Sequence, residues 1–322
     1  MRLRPLVTVS IAAASAFLLA GCTGLGGPSP SPTPTAGAAA DLCGAMAPSG
    51  AASESVTVKG KPGEAPDVSF DSPLDVTALQ ATVLAEGDGE PTEAGDYVQY
   101  ALTAYGAESG EELVAIGYEP GELLPSQISA ENPLGQILGC SAPGTRVAAT
   151  FPATPATEST AEIAAEVYVL DLLSVVPTAA WGTPQDPETG MPVVTLADDG
   201  APTIEIPDDD APTETKVTTL KEGDGYTVQS GDYVLIQYSG VRWSNGEVFD
   251  ETWGKSPYTG QTTGFVPGFQ KALDGHKVGS QMLVVIPPAE GYGEGEINES
   301  DLKGETLVFV VDILGAQHVE AE

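Results

Sequence analysis

The sequence predicts an α+β protein built twice over: two domains, each an antiparallel β-sheet wrapped around one short α-helix. Three observations predict it. First, Glu86-Gly87-Asp88-Gly89 returns as Glu222-Gly223-Asp224-Gly225, and Gly95-Asp96-Tyr97-Val98 returns as Gly231-Asp232-Tyr233-Val234. Both recur at an offset of 136 residues, from 222 − 86 and 231 − 95, which marks one structural unit used twice. Second, Val234, Ile236 and Tyr238 alternate with Leu235 and Gln237, the period of a strand. Third, one short helix signal stands between the strands. Pro267 suits a first helical turn, Phe269, Ala272 and Leu273 share a face, and Gly275 suits the end at Asp274. Several strands around one helix make an α+β domain.

The elements follow in chain order. Arg2 and Arg4 precede an apolar run from Leu6 to Ala20, too short and too weakly flanked to span a membrane. The run ends in Leu19-Ala20-Gly21-Cys22, which resembles the bacterial lipobox. That resemblance implies a signal peptide over 1–21, cleavage before Cys22, and a lipid on its thiol. Pro28, Pro30, Pro32 and Pro34 then alternate with Ser and Thr, a composition that buries nothing. Residues 22–50 are expected to be the lipidated Cys22 and a tether, and the protein to sit lipid-anchored on the extracytoplasmic face of the cell membrane. With Cys22 modified, Cys43 and Cys140 are an even pair in an oxidising compartment. Spacing leaves a disulfide and two unpaired thiols both open.

The first copy is expected over 51–177, and 178–212 as a linker and N-terminal extension in which Pro, Gly and Thr cluster and Trp181 packs on one domain or the other. The second copy follows over 213–316, with a tail over 317–322. Upstream, Pro66, Val68 and Phe70 match Pro202, Ile204 and Ile206. The offset drifts to 135 at Gly144 and Gly279 (279 − 144), and reaches 141 at Asp171 and Asp312 (312 − 171). The first copy is therefore shorter before its last strand. In the second, strands are expected over Met282–Ile286 and Thr306–Leu314, with Leu307, Phe309, Val311 and Ile313 pointing one way.

The formal charge of −34 excludes nucleic acid, whose phosphates need a basic surface, and electrostatic docking on anionic lipid. Asp198-Asp199 and Asp208-Asp209-Asp210 lack the regular oxygen spacing and distal Glu of a calcium loop. They read as solvated turns, so no metal site is expected.

The second copy carries an ordered set of motifs: Tyr238-Ser239-Gly240, Val248-Phe249-Asp250 after Asn245-Gly246, Phe265-Val266-Pro267-Gly268-Phe269, Val278-Gly279-Ser280, Ile286-Pro287-Pro288, Gly291-Tyr292-Gly293 and Thr306-Leu307-Val308-Phe309. In this order and spacing it resembles the FKBP family of peptidyl-prolyl cis-trans isomerases. The resemblance implies two FKBP-like domains, catalytic residues Tyr238, Phe249, Asp250, Tyr292 and Phe309, and substrate-binding residues Tyr258, Phe265, Val266, Phe269 and Ile297. It implies Pro-containing segments of exported proteins as partners, and no cofactor. Lys255 stands where the family often has an Arg paired with the aspartate. The family's Trp floor is Phe269 here, which widens the pocket and removes an indole donor. Thr259 to Gly264 lacks the usual apolar strand residue, and Glu294 to Leu302 is acidic.

The chemistry fits these residue types. Rotating an X–Pro amide breaks resonance but transfers no group, so no nucleophile, metal or cofactor is needed. His276 and His318 are the only histidines, and neither belongs to a catalytic pair. Alternating aromatics are by themselves core residues more often than site residues. Asp250 after Phe249 argues against that reading, because a buried carboxylate is costly. The first copy has Leu102 in place of Tyr238, Val114-Ala115 near Phe249-Asp250, and Leu134 to Leu138 in place of the aromatic approach to the helix. It is expected to keep the fold without the pocket. A non-catalytic binder of Pro-containing segments is the alternative function for the chain.

Overall fold

β-Branched and apolar residues dominate the runs at 146–151, 166–176, 281–286 and 307–317, and each run forms a long central strand. In this computed structural model, residues 41–157, 160–186, 188–298 and 301–319 are described. The segment expected as a signal peptide, Cys22 and the Pro/Ser/Thr run lie outside them. The first region comprises α1 (Leu42–Ala45), α2 (Ala51–Glu54), β1 (Thr57–Lys59), β2 (Asp67–Ser69), β3 (Gln80–Ala85), β4 (Tyr97–Gly106), β5 (Glu112–Ile116), β6 (Ser126–Gln127), α3 (Pro133–Leu138), β7 (Arg146–Phe151) and β8 (Glu166–Val176). After β9 (Thr183–Pro184), the second comprises β10 (Val193–Leu196), β11 (Pro202–Glu205), β12 (Lys216–Glu222), β13 (Tyr233–Arg242), β14 (Val248–Glu251), β15 (Tyr258–Gln261), α4 (Pro267–Gln270), β16 (Gln281–Ile286) and β17 (Leu307–Gln317). The architecture is α+β: two sheet-rich regions, each with a short helix embedded.

The two sheets share one topology. The strand order β3-β7-β8-β4-β5, with β6 on β4, is matched by β12-β16-β17-β13-β14, with β15 on β13. The irregularities repeat as well. Register breaks after Val83, Gln99 and Ala104 recur after Thr219, Leu235 and Gly240. Each pair stands 136 apart (219 − 83, 235 − 99, 240 − 104). A bulge re-aims every side chain after it, so shared bulges mean shared facing along the strands.

Both faces of each sheet are covered. In the second, Phe269, Ala272 and Leu273 from the helix side pack on Met282, Val284, Ile286, Phe309 and Val311. On the other face Leu283, Val285, Val308 and Val310 meet Met191 and Ile204. These last two belong to the segment expected as linker, which folds into the antiparallel β10–β11 hairpin. The hairpin corresponds to β1–β2 of the first region. This is why β16 is buried at every position: a strand covered on both sides reads as a continuous apolar run. Leu307, Phe309, Val311 and Ile313 face the helix, while Val308 and Val310 bury equally under the hairpin.

Two boundaries differ from the sequence expectation, and the side taken by Trp181, left open by the sequence, is fixed. The chain is folded from Leu42 rather than from residue 51: Leu42 packs with Ile137 and Leu138, and a disulfide joins Cys43 to Cys140. The helix of the second region ends at Gln270, and tighter turns carry the chain on to Asp274. Gly182 lies against Glu222, and Trp181 covers Gly279, which puts Trp181 on the second region.

Each sheet buries one aspartate. Asp171 on β8 takes a bidentate bond from Arg146 at 2.6 Å and one from the Gly63 amide at 2.8 Å. Asp312 on β17 takes one from Gln281 at 2.8 Å and one from the Ala180 amide at 2.7 Å. A buried carboxylate needs such partners. Burial pushes the Asp312 carboxyl upward against the pull of the two bonds.

Candidate active site

Strand pairing builds the site from four elements of the second region. Gly240 stands opposite Phe309 on one side and Asp250 on the other. Its missing side chain is what lets the rings meet, since a Cβ there would lie 2.6 Å from Phe309 and 2.9 Å from Phe249. Tyr238, two residues earlier on β13, points to the same face. The α4 helix supplies Phe269, held close to the sheet because Gly268 packs against Ile286 with no room for a Cβ.

The result is a cup of rings. Phe269 is 4 % exposed and Phe309 5 %; they meet edge to face at 4.9 Å. Phe249 packs on Phe309 at 5.4 Å, and Tyr238 approaches Phe269 and Phe309 at 6.0 and 6.2 Å. Phe265 stacks on Phe269 at 4.8 Å, and Tyr258 leans on Phe265 at 5.9 Å. These are the favoured offset and T-shaped geometries. Val266 packs half-buried beside them.

The polar groups sit at the mouth. The Tyr238 hydroxyl donates to Asp250 Oδ2 at 2.7 Å. Burial first, and then the carboxylate it donates to, push the Tyr238 phenol well up, so it stays protonated. Asp250 itself is exposed. Thr252, which sequence reasoning missed, clamps the strand behind Tyr238: its Oγ1 accepts from the Tyr238 amide at 2.9 Å, and its own amide donates to the Tyr238 carbonyl at 2.9 Å. Tyr292 and Ile297 stand at 51 % and 58 % exposure. The Tyr292 hydroxyl is near enough to contribute to the upward shift of Tyr238. Lys255 is not the aspartate's partner. Its ammonium bonds the Glu251 carbonyl at 3.0 Å, because the turn after β14 is tight and returns it to its own strand. Tyr238 takes the place at Asp250.

Residues 225–314 match the FKBP-type peptidyl-prolyl cis-trans isomerase family. The probable FK506-binding protein of Corynebacterium glutamicum is 36% identical over 99 residues, which is 29% of this chain and 80% of that protein. The FK506-binding protein of Streptomyces anulatus is 36% identical over 97 residues, 29% of this chain and 78% of that protein. The chain belongs to the FKBP-type peptidyl-prolyl cis-trans isomerase family. It is an enzyme of that class, and its family domain is the second sheet region.

Against the isomerase domain, the first region differs ring by ring. Tyr168 stands where Phe309 does (309 − 141 = 168), and Leu134 where Phe269 does (269 − 135 = 134). The Tyr168 hydroxyl is turned to Glu166, and its ring packs edge-on to Phe151 at 5.3 Å. Val114 lies opposite Ala104 as Asp250 lies opposite Gly240. The counterparts of Phe249-Asp250 are therefore Leu113-Val114, one residue earlier than sequence comparison suggests. The bulge after Ala104, not the residue count, sets the register. Leu113 is exposed, so no aromatic cup forms there.

Proposed function

We propose that the isomerase domain turns over X–Pro bonds in the ring cup, with Tyr238, Phe249, Asp250, Tyr292 and Phe309 as its catalytic residues. Tyr258, Phe265, Val266, Phe269 and Ile297 hold the flanking chain. The observation that carries this is the closed set of rings around Phe269 and Phe309, with a single hydrogen-bonded carboxylate, Asp250, at the mouth. A planar amide is strongly dipolar and prefers water, whereas the twisted amide has lost that charge separation. An apolar cup therefore raises the ground state more than the transition state against a barrier of about 18–20 kcal/mol. Each ~1.4 kcal/mol of that difference gives about tenfold in rate. Asp250 fixes the Tyr238 ring in its wall position, and the exposed Tyr292 hydroxyl meets a carbonyl of the bound chain. The pocket also suits a macrolide of the kind named for the two bacterial relatives.

The first region serves as a diverged, non-catalytic copy. Cys22 carries a lipid that holds the enzyme on the extracytoplasmic face of the membrane, where its substrates are exported polypeptides. No described helix is long and apolar enough to cross a membrane. The deciding experiment compares Asp250→Ala with wild type in X–Pro peptide isomerisation at matched folded fraction. Activity falls while stability stays within about 0.5 kcal/mol, because the carboxylate is exposed. Equal activity sinks the site reading. Cys22→Ala releases the protein from the membrane fraction, and unchanged retention refutes the anchor.

A further inference from the structure

The strand that carries Tyr238 has a gap in its ladder at that residue. Along one edge β13 pairs with β15 through Tyr233–Ile236 and with β14 through Ser239–Val241, so neither strand pairs with Tyr238. A backbone N–H and C=O left open there would be costly, and Thr252 meets both. Its amide donates to the Tyr238 carbonyl at 2.9 Å, and its Oγ1 accepts from the Tyr238 amide at 2.9 Å. In a regular ladder the Thr252 carbonyl would accept that N–H. Here the carbonyl accepts instead from the Lys255 amide at 2.9 Å and opens the turn after β14. A side-chain oxygen thus stands in for a backbone one, a local substitution that Thr can make. The first region shows the regular arrangement. Leu102 and Ile116 correspond to Tyr238 and Thr252 (238 − 102 and 252 − 116, both 136), and they pair directly as the end rung of β4 and β5. Ile116 has no side-chain oxygen, and Leu102 has no hydroxyl to aim. The substitution therefore occurs in the copy that has the ring cup. The run Asp250 to Thr252 grips Tyr238 at both ends: Asp250 takes its hydroxyl at 2.7 Å, and Thr252 takes its backbone. Thr252 is 6 % exposed, so bulk water does not compete for its place.

We propose that Thr252 is a positioning residue for the isomerisation: by fixing the Tyr238 backbone to the end of β14, it sets the Tyr238 hydroxyl on Asp250 and the ring in the wall of the cup. Its effect on turnover rests on the cup being the site of reaction; its effect on Tyr238 does not. The test uses the full chain and two readouts. The Cζ carbon-13 signal of Tyr238, identified by its loss in Tyr238→Phe, reports the bond from the hydroxyl to the carboxylate. Asp250→Ala gives the position of that signal with the bond gone. Thr252→Val keeps the shape of the side chain and removes the acceptor. In it the Tyr238 signal moves toward the Asp250→Ala position, and kcat/KM on an X–Pro peptide falls about tenfold at matched folded fraction. Thr252→Ser returns the oxygen and keeps both readouts at wild type, which a need for the threonine methyl in packing would not allow. Thr252→Ala, which leaves room for water at the Tyr238 amide, carries the same two readouts if the valine variant does not fold. A Tyr238 signal that stays in place when the acceptor is removed overturns the proposal. So does an equal loss in Thr252→Ser, or wild-type turnover in Thr252→Val where Asp250→Ala is impaired. Wild-type turnover in Asp250→Ala fails the cup reading instead, and the Tyr238 signal then decides the role of Thr252 by itself.

Discussion

Replacing Gly240 by alanine tests whether the ring cup, rather than the fold that holds it, makes the catalyst. The added methyl would lie 2.6 Å from Phe309 Cε1, 2.8 Å from Phe309 Cδ1 and 2.9 Å from Phe249 Cζ. Carbon atoms prefer about 3.5–4.0 Å, so each ring must retreat by about 0.6–1 Å. Phe309 has little room to do so, because Phe269 backs it at 4.9 Å. Gly240 is not among the left-handed glycines, so alanine adds steric pressure without backbone strain. Overpacking of this kind costs about 1–3 kcal/mol. A misplacement near 1 Å in a site costs up to about a hundredfold in rate. We expect a lowered urea midpoint with an unchanged slope. At matched folded fraction, kcat/KM on an X–Pro peptide falls about tenfold to a hundredfold. Gly264→Ala is the control: a Cβ there meets nothing within 4 Å, and both readouts should stay at wild type. Wild-type turnover in Gly240→Ala would refute the reasoning, since the two rings would then be free to move without consequence.

Three further predictions follow from the same geometry. Arg146→Ala leaves Asp171 buried without its cation and should cost about 3–5 kcal/mol. Arg146→Gln should cost clearly less, because the Gln281–Asp312 pair of the second sheet shows an amide and a backbone N–H satisfying the matching aspartate; equal losses in urea unfolding would contradict this. Removing both Cys43 and Cys140 opens a loop with a sequence separation of 97 and should cost the first region about 2–5 kcal/mol, leaving isomerase activity intact. In the second region, burial lowers the imidazole of His276 below its ordinary 6.5. The unfolded chain therefore takes up the proton first, so the stability linked to this group is complete above pH 6.5 and drains away as pH falls through it. His276→Asn should flatten that part of the pH dependence of the unfolding midpoint, and an unchanged slope between wild type and variant would contradict it.

Much of this was legible because it depends on local chemistry. Gly95 and Gly231, Gly144 and Gly279 hold positive φ at matching turns, a conformation that favours glycine, so the turns that define the repeat are written as recurring letters. Phe249, Phe265, Phe269 and Phe309 were marked as pocket residues by the resemblance that the ordered motifs carry, since alternation alone reads them as core, and the structure gathers these four with Tyr238 and Tyr258. Other features could not be read along the chain. Met282 to Ile286 is apolar throughout, and only the folded hairpin of 193–205 shows what covers its second face. The bond from Tyr238 to Asp250, the clamp of Thr252 and the turn of Lys255 to its own strand depend on strand pairing and on which rotamer the pairing leaves open. The register of Leu113-Val114 follows from a bulge that no residue count reveals. Periodicity and turn residues are short-range quantities that one segment carries alone, whereas burial, register and hydrogen-bond partners belong to pairs of distant segments and exist only once the chain has brought them together.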